Sequence, residues 1–288
     1  MTVTSVPGVR LRRVTVNGTG HNVATAGAGP AVLLLHGFPH TWRLWTEVIG
    51  PLARRHRVIA PDLRGFGDSD RPADGYDAGT LAADAAGLLE ALDAGPAAVV
   101  GIDLGTPPAF LPAMRRPGLV RRLVLMESLL GDLPGAEEFL AAGPPWWFGF
   151  HAVPGLAETV LEGHEEAYVG WFLDRGTLGR GVRPDVRAAF VRAYAGGGAL
   201  RAAFGPYRAM AAGARQIREA VTGARLAVPA LTVGAHPVGR ALERQLRPHA
   251  ERLTGEVIPD CGHLIPLDRP RELLALLEPF LAVDDDRG

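Results

Sequence analysis

The chain has 288 residues, 47% of them hydrophobic, which suffices for one large α/β domain with an insertion or for two small domains. Its formal net charge is −1, with 30 basic residues that are all arginine, so no global basic field points to nucleic acid or an anionic membrane. A single cysteine, Cys261, excludes an intramolecular disulfide framework and a cysteine-based zinc site. The first residues lack an apolar leader core and no apolar run is long enough to span a bilayer, so a reducing cytoplasm is the expected setting.

Residues 9–16 and 21–26 alternate loosely around Asn17-Gly18, a pattern that predicts an opening hairpin. Ala31–Leu35 is a continuous apolar run, as expected of a strand covered on both faces, and it ends in His36-Gly37-Phe38-Pro39. A helix carrying Trp42 and Trp45 follows and is expected to reach Arg54. Residues 58–60 read as a short buried strand, followed by a Gly-rich loop over 61–70, and residues 81–92 have helical periodicity. Residues 97–100 form a further buried strand that runs into Gly101-Ile102-Asp103-Leu104-Gly105, and a helix starts near Pro107. The next strand, 123–126, ends at Glu127.

This alternation of short apolar strands and helices predicts a parallel, doubly wound sheet. It breaks after Gly131. From there to about Gly213 no strand is evident, only helical stretches rich in alanine and aromatics. The expected organisation is therefore an α/β core over 1–132 and 214–288, with a helical lid inserted at 133–213. The strand pattern resumes at 229–233 and 255–259, and an amphipathic helix closes the chain over 269–281, ahead of an acidic tail at 284–286 that is expected to fray.

Gly101 to Gly105 has the spacing of a nucleophile elbow, with an acid at the central position. A strand-to-helix turn this tight leaves no room for a Cβ on either side of the central residue. Asp103 would project from the carboxyl edge of the sheet at a helix N-terminus, where backbone N–H groups keep a carboxylate ionised. A simple helix cap is the alternative for this residue. A carboxylate nucleophile forms an ester, and hydrolysing that ester needs a base to activate water. His263, in Cys261-Gly262-His263 after the last strand, has the place and chain order of such a base.

A base histidine needs an acid to orient it. The loop Gly234-Ala235-His236-Pro237-Val238-Gly239-Arg240, where one is commonly found, has no carboxylate. Glu127 is then the available substitute, with an ordinary loop carboxylate as the alternative. Asp260 falls on the wrong side of its turn, and Asp62, Asp68 and Asp70 are expected to hold their own loop. The backbone N–H groups of Leu104 and Phe38 would serve the oxyanion of ester hydrolysis, with His36 ordering the oxyanion loop and standing beside the substrate.

At this point the chain resembles the α/β-hydrolase superfamily, and within it the epoxide hydrolases. The resemblance rests on H-G-F-P-H-T-W-R-L-W, D-L-R-G-F-G-D-S-D, G-I-D-L-G, M-E-S-L-L-G and C-G-H, and covers nearly the whole chain from His36 onward. It implies two side chains of the lid that donate hydrogen bonds to the epoxide oxygen. Tyr207, in Pro206-Tyr207-Arg208-Ala209-Met210, matches one. The second, usually Tyr or His, falls on Trp147, which is a departure: an indole N–H donates but does not readily transfer a proton. Trp146 is expected to assist, with Tyr168 and His151 as reserve donors, and packing of the lid is the alternative for the Trp pair.

The resemblance implies an epoxide and water as partners, a vicinal diol as product and no metal or cofactor. A bulky or aromatic substrate of bacterial secondary metabolism is the expectation, and a homodimer is compatible with it. The competing readings are a dehalogenase using the same triad, which Leu104 after the nucleophile disfavours, and a non-catalytic ligand-binding module, which retention of all three triad positions disfavours.

Overall fold

The computed structural model describes residues 6–282. Eight strands form one sheet: β1 Arg10–Val16, β2 Thr19–Ala26, β3 Ala31–Leu35, β4 Arg57–Pro61, β5 Ala97–Ile102, β6 Val120–Met126, β7 Ala230–Gly234 and β8 Leu253–Val257. The spatial order is β1-β2-β4-β3-β5-β6-β7-β8. The first two strands make the expected hairpin and β2 pairs antiparallel with β4, while every pair from β4 to β8 is parallel. The order reverses between β3 and β5, the switch point where open α/β sheets bind ligands outside the carboxyl ends of their strands.

Burial explains why the central strands read as unbroken apolar runs. Every residue of β3 and β5 is buried, because helices cover both faces. One layer contains α1 Thr46–Leu52, and another α2 Ala78–Ala91 and α3 Thr106–Arg115. Trp42–Trp45 forms a 3₁₀ turn ahead of α1, and α1 ends at Leu52 rather than Arg54. The α2 helix starts three residues before its apolar periodicity does, because the Asp77 carboxylate caps it by accepting from Thr80 N–H at 3.1 Å. The strand expected at 255–259 is shifted to Leu253–Val257 by its parallel register with β7, and Pro259 has no N–H to offer a ladder.

Between β6 and β7 the described residues form helices and no strand: α4 Trp146–Ala152, α5 Leu156–Leu161, α6 Glu165–Arg175, α7 Pro184–Ala193, α8 Gly197–Arg208 and α9 Met210–Val221. Of these, α9 packs on α2 and α3 at the flank of the sheet, and α4 packs on α8. The last part of the chain contributes α10 Ala241–Leu246, α11 Ile265–Asp268 and α12 Pro270–Leu281. The acidic stretch 284–286 lies outside the described residues.

Candidate active site at the carboxyl edge of the sheet

Asp103 follows β5 with φ +55°, in the left-handed region that a side chain enters at a cost of about 1–3 kcal/mol. The sequence allows this turn because a Cβ at Gly101 would run into Gly105 O and Ala109, and one at Gly105 into the carbonyls of Leu35 and His36. Gly37 is restricted by Asp103 itself: a Cβ there would overlap the Asp103 carboxyl group. The Ser128 hydroxyl donates to Asp103 O at 2.8 Å, pinning the elbow from β6. Nothing in the sequence flagged Ser128, whose role depends on a strand neighbour 25 residues away.

The two oxygens of Asp103 have different surroundings. Oδ1 accepts from the backbone N–H of Leu104, and from that of Phe38 at 3.3 Å. Oδ2 pairs with His263 Nε2 at 2.8 Å. The other ring nitrogen of His263 lies 3.3 Å from Glu127 Oε2. Glu127 is buried at the end of β6, also with positive φ, and Ala235 N–H donates to its Oε1 at 2.6 Å. The loop that carries no carboxylate of its own thus supplies the donor that fixes Glu127. Asp103, Glu127 and His263 are brought together, with the Asp103 and His263 side chains 18% and 23% exposed.

The electrostatics follow from this geometry. Burial lowers the affinity of His263 for its proton, but hydrogen bonds and charge from Asp103 and Glu127 outweigh it and raise the imidazole well above its ordinary value. Burial pushes the Asp103 carboxyl up, yet the hydrogen bond and charge of His263 and the Leu104 N–H together hold it below the ordinary carboxylate range. The resting pair is therefore carboxylate and imidazolium.

His36 is fully buried, with Nδ1 2.9 Å from Gly37 O and Nε2 accepting from Leu63 N–H at 3.1 Å. Both nitrogens are used in bracing the 36–39 loop against the loop after β4, so the expectation that His36 also stands beside the substrate is corrected. Burial lowers it to about 4, and it is neutral at pH 7. Asp62 holds the following loop, accepting from Trp42 N–H at 2.8 Å, Asp68 N–H at 3.0 Å and Asn22 at 2.8 Å. Asp260 is exposed and pairs with Arg180 and Arg269, away from His263.

Tyr207, in the last turn of α8, is buried with its ring 5.9 Å from Phe38 and 4.4 Å from His151. Burial, followed by the charge of Asp103, pushes its hydroxyl well above the ordinary phenol value, so it is a neutral donor. His151 is fully buried, stacks on Phe204 at 4.1 Å and shares a 2.6 Å hydrogen bond between Nε2 and the Tyr168 hydroxyl. Burial, with the Arg208 charge second, lowers His151 to about 3. Trp147 is half-buried and packs on Phe172 at 5.3 Å, and Phe172 in turn meets Phe38 at 5.3 Å. The neighbours of the Tyr207 ring are therefore Phe38, His151 and Phe148, with Trp147 one ring further out.

Trp146, expected to assist at the epoxide oxygen, is 55% exposed and packs against Trp171 on the outside; the placement of its neighbour in the same helical turn rotates it outward. Two residues that the sequence reading passed over also border the site. Tyr194 is buried, donates to His40 O at 2.7 Å and meets Phe38 edge-on at 5.3 Å. His40 itself is fully buried, and burial lowers it to about 3.

A strained acidic elbow, a histidine last in chain order and paired backbone donors on this sheet define an α/β hydrolase, and residues 30–177 match the sequence profile of the alpha/beta hydrolase fold family. The chain belongs to that family, in its epoxide hydrolase-like branch. It is 30% identical to the soluble epoxide hydrolase of Corynebacterium sp. strain C12, across 93% of this chain and 95% of that one. Among solved structures, Cfl2 from Burkholderia cenocepacia is 33% identical, with a TM-score of 0.86 and 96% of each chain covered. The epoxide hydrolase CorEH is 27% identical, with a TM-score of 0.82 and coverage of 94% of this chain and 98% of that one. Among the described residues no helix is long and apolar enough to cross a membrane.

Proposed function

We propose that this chain is an epoxide hydrolase that opens its substrate to a vicinal diol through an ester on Asp103. The observation that carries the reading is the division of labour on one carboxylate: Oδ1 sits on two backbone donors while Oδ2 faces His263. Likeness to epoxide hydrolases over nearly the full chain supports it.

Asp103 Oδ2 attacks an epoxide carbon as the carbon–oxygen bond breaks, with Tyr207 donating to the departing oxygen. The departing oxygen takes the Tyr207 proton and the imidazolium proton passes through solvent to restore the phenol, so carboxylate, imidazolium and epoxide become ester, neutral imidazole and alcohol with charge and protons balanced. Esterification also removes one of the two negative charges that hold His263 protonated. The histidine thus becomes a base at the step that needs one. Oriented by Glu127, it takes a proton from water, which attacks the ester carbonyl carbon. The developing oxyanion on Oδ1 rests on Leu104 and Phe38 N–H. Collapse releases the diol, carrying Oδ2, and returns the proton to the Asp103–His263 pair.

In this reading residues 133–213 act as the lid, and Tyr207, His151, Phe148, Phe172 and Trp147 make an aromatic wall suited to a bulky or aryl epoxide. A cytoplasmic setting is part of the proposal and fits the single buried free thiol, Cys261. The test is single turnover of styrene oxide in heavy-oxygen water. The first diol should carry unlabelled oxygen from Asp103, and prompt label in it would rule out the ester. Release of chloride or fluoride from simple haloalkanes or haloacids, without diol formation from any epoxide, would favour a dehalogenase instead.

A further inference from the structure

We infer that Arg180, on the turn between α6 and α7, is a positioning residue for His263 and locks the histidine loop to the segment lying over the sheet edge. The inference rests on the role proposed for His263. That loop leaves β8, an edge strand with mostly exposed residues, so the sheet alone gives it little support. From the core it has the bond between His236 N–H and Cys261 O, at 2.9 Å. The bonds on either side of His263 have another origin. Leu264 N–H donates to Gly176 O at 2.8 Å, and Gly176 closes α6. Gly262 N–H donates to Asp268 Oδ2 at 2.6 Å.

Asp268 is held in turn by Arg180, whose Nε and Nη2 donate to its two oxygens at 2.7 and 2.6 Å. The same guanidinium donates from Nη2 to Asp260 O at 3.0 Å and from Nη1 to Asp260 Oδ1 at 3.3 Å. One side chain from the α6–α7 turn therefore spans both ends of the loop, 260 and 268. The Arg180 side chain is 35% exposed but its partner Asp268 is 1% exposed, which places this fork beyond an ordinary surface pair.

The turn that presents Arg180 is itself stiff. Thr177 is fully buried, donates to Leu173 O at 2.9 Å and accepts from Gly181 N–H at 2.8 Å. It also fits closely against the loop: a Cβ at Gly262 would collide with Gly176 O, and one at Gly176 would meet the Leu264 side chain at 2.7 Å. Movement of the α6–α7 turn is thus transmitted to the backbone on both sides of His263. The imidazole must stay between Asp103, at the end of β5, and Glu127, at the end of β6, to be held protonated at rest and to aim water at the ester.

The test compares full-length wild type with Arg180→Met, Arg180→Lys and, as a control, Arg218→Met, which breaks an exposed pair with Asp132. Titration of the His263 imidazole by nitrogen NMR needs no substrate. Arg180→Met should make His263 lose its proton at a pH lower by about one, as its hold on the two carboxylates loosens. In single turnover with styrene oxide the same variant should slow ester hydrolysis about tenfold, because a base displaced by a fraction of an ångström misses its water. Arg180→Lys should fall between it and wild type, and Arg218→Met should match wild type. If Arg180→Met fails to fold, Arg180→Lys decides by the same titration. A titration unchanged from wild type overturns the inference. If wild type opens no epoxide, the proposed function fails, and the titration still decides the role of Arg180.

Discussion

The two walls of the site are built differently. The sheet-edge wall is held by directed bonds: Asp103 between Leu104, Phe38 and His263, and Glu127 between Ala235 and His263. The wall from the helices between β6 and β7 is held mainly by ring packing, with Tyr207 set among Phe38, Phe148 and His151 and polar links from His151 to Tyr168 and from Tyr194 to His40 O. Hydrogen bonds fix an atom to within tenths of an ångström, whereas ring contacts tolerate shifts and substitutions. Under the proposed function the ester chemistry falls to the directed wall, while the ring-packed wall supplies Tyr207 as donor and meets the rest of the substrate.

Substitutions on the two walls test this contrast directly. On the sheet edge, Asp103→Ala should abolish diol formation, and His263→Gln should lower turnover at least about a thousandfold while an ester with the mass of the substrate accumulates on the protein. Intact-protein mass spectrometry reads the second outcome; loss of activity without added mass would break the division of roles. Glu127→Gln, which keeps an acceptor for Ala235 N–H but removes the charge, should cost about a hundredfold in kcat with little change in KM.

Effects on the ring-packed side should be smaller and graded. Tyr207→Phe should lower kcat about tenfold to a hundredfold, since the donor to the epoxide oxygen is lost. Trp147→Phe should stay within about threefold, because the indole lies one ring away from Tyr207. His151→Phe tests the packing around Tyr207 and should move KM for aryl epoxides more than kcat. A larger loss at Trp147 than at Tyr207 would reverse the assignment of the main donor.

The smallest effects concern stability and pH. His36, His40 and His151 are buried neutral, at about 4, 3 and 3 respectively. Their folded values lie below the unfolded one of about 6.5. The stabilisation they leave intact is thus complete above about pH 6.5 and lost as pH falls toward the lowered values, by up to about 1.4 kcal/mol per pH unit for each histidine. His263 has the opposite sign: its raised value stabilises the fold fully below about pH 6.5, and the contribution is lost as pH rises through the raised value. Chemical denaturation across pH should show His151→Phe flattening the acid limb and His263→Gln flattening the alkaline one. An acid limb unchanged in His151→Phe would mean that His151 is protonated in the fold.

Much of this arrangement is local in the chain and so readable from it. The Gly101–Gly105 spacing demands a tight elbow around Asp103 whatever else the fold does, and apolar runs such as Ala31–Leu35 demand cover on both faces. The vacancy in the 234–240 loop directs attention to Glu127, and the structure places that carboxylate 3.3 Å from His263. Strand ends were less readable, because the Leu253–Val257 register is set by a neighbouring strand rather than by its own residues.

The amino-acid order by itself determined the fold class, the elbow and the residues available for the triad, because each is a matter of spacing along one strand and its turn. Only the tertiary structure decided which rings of the helices between β6 and β7 meet Tyr207, that Trp146 faces outward, that His36 is consumed in bracing a loop, and that Arg180 reaches the loop of His263. Those are contacts between segments far apart in the chain, where the direction of a side chain depends on the packing of several helices at once and no local pattern encodes it.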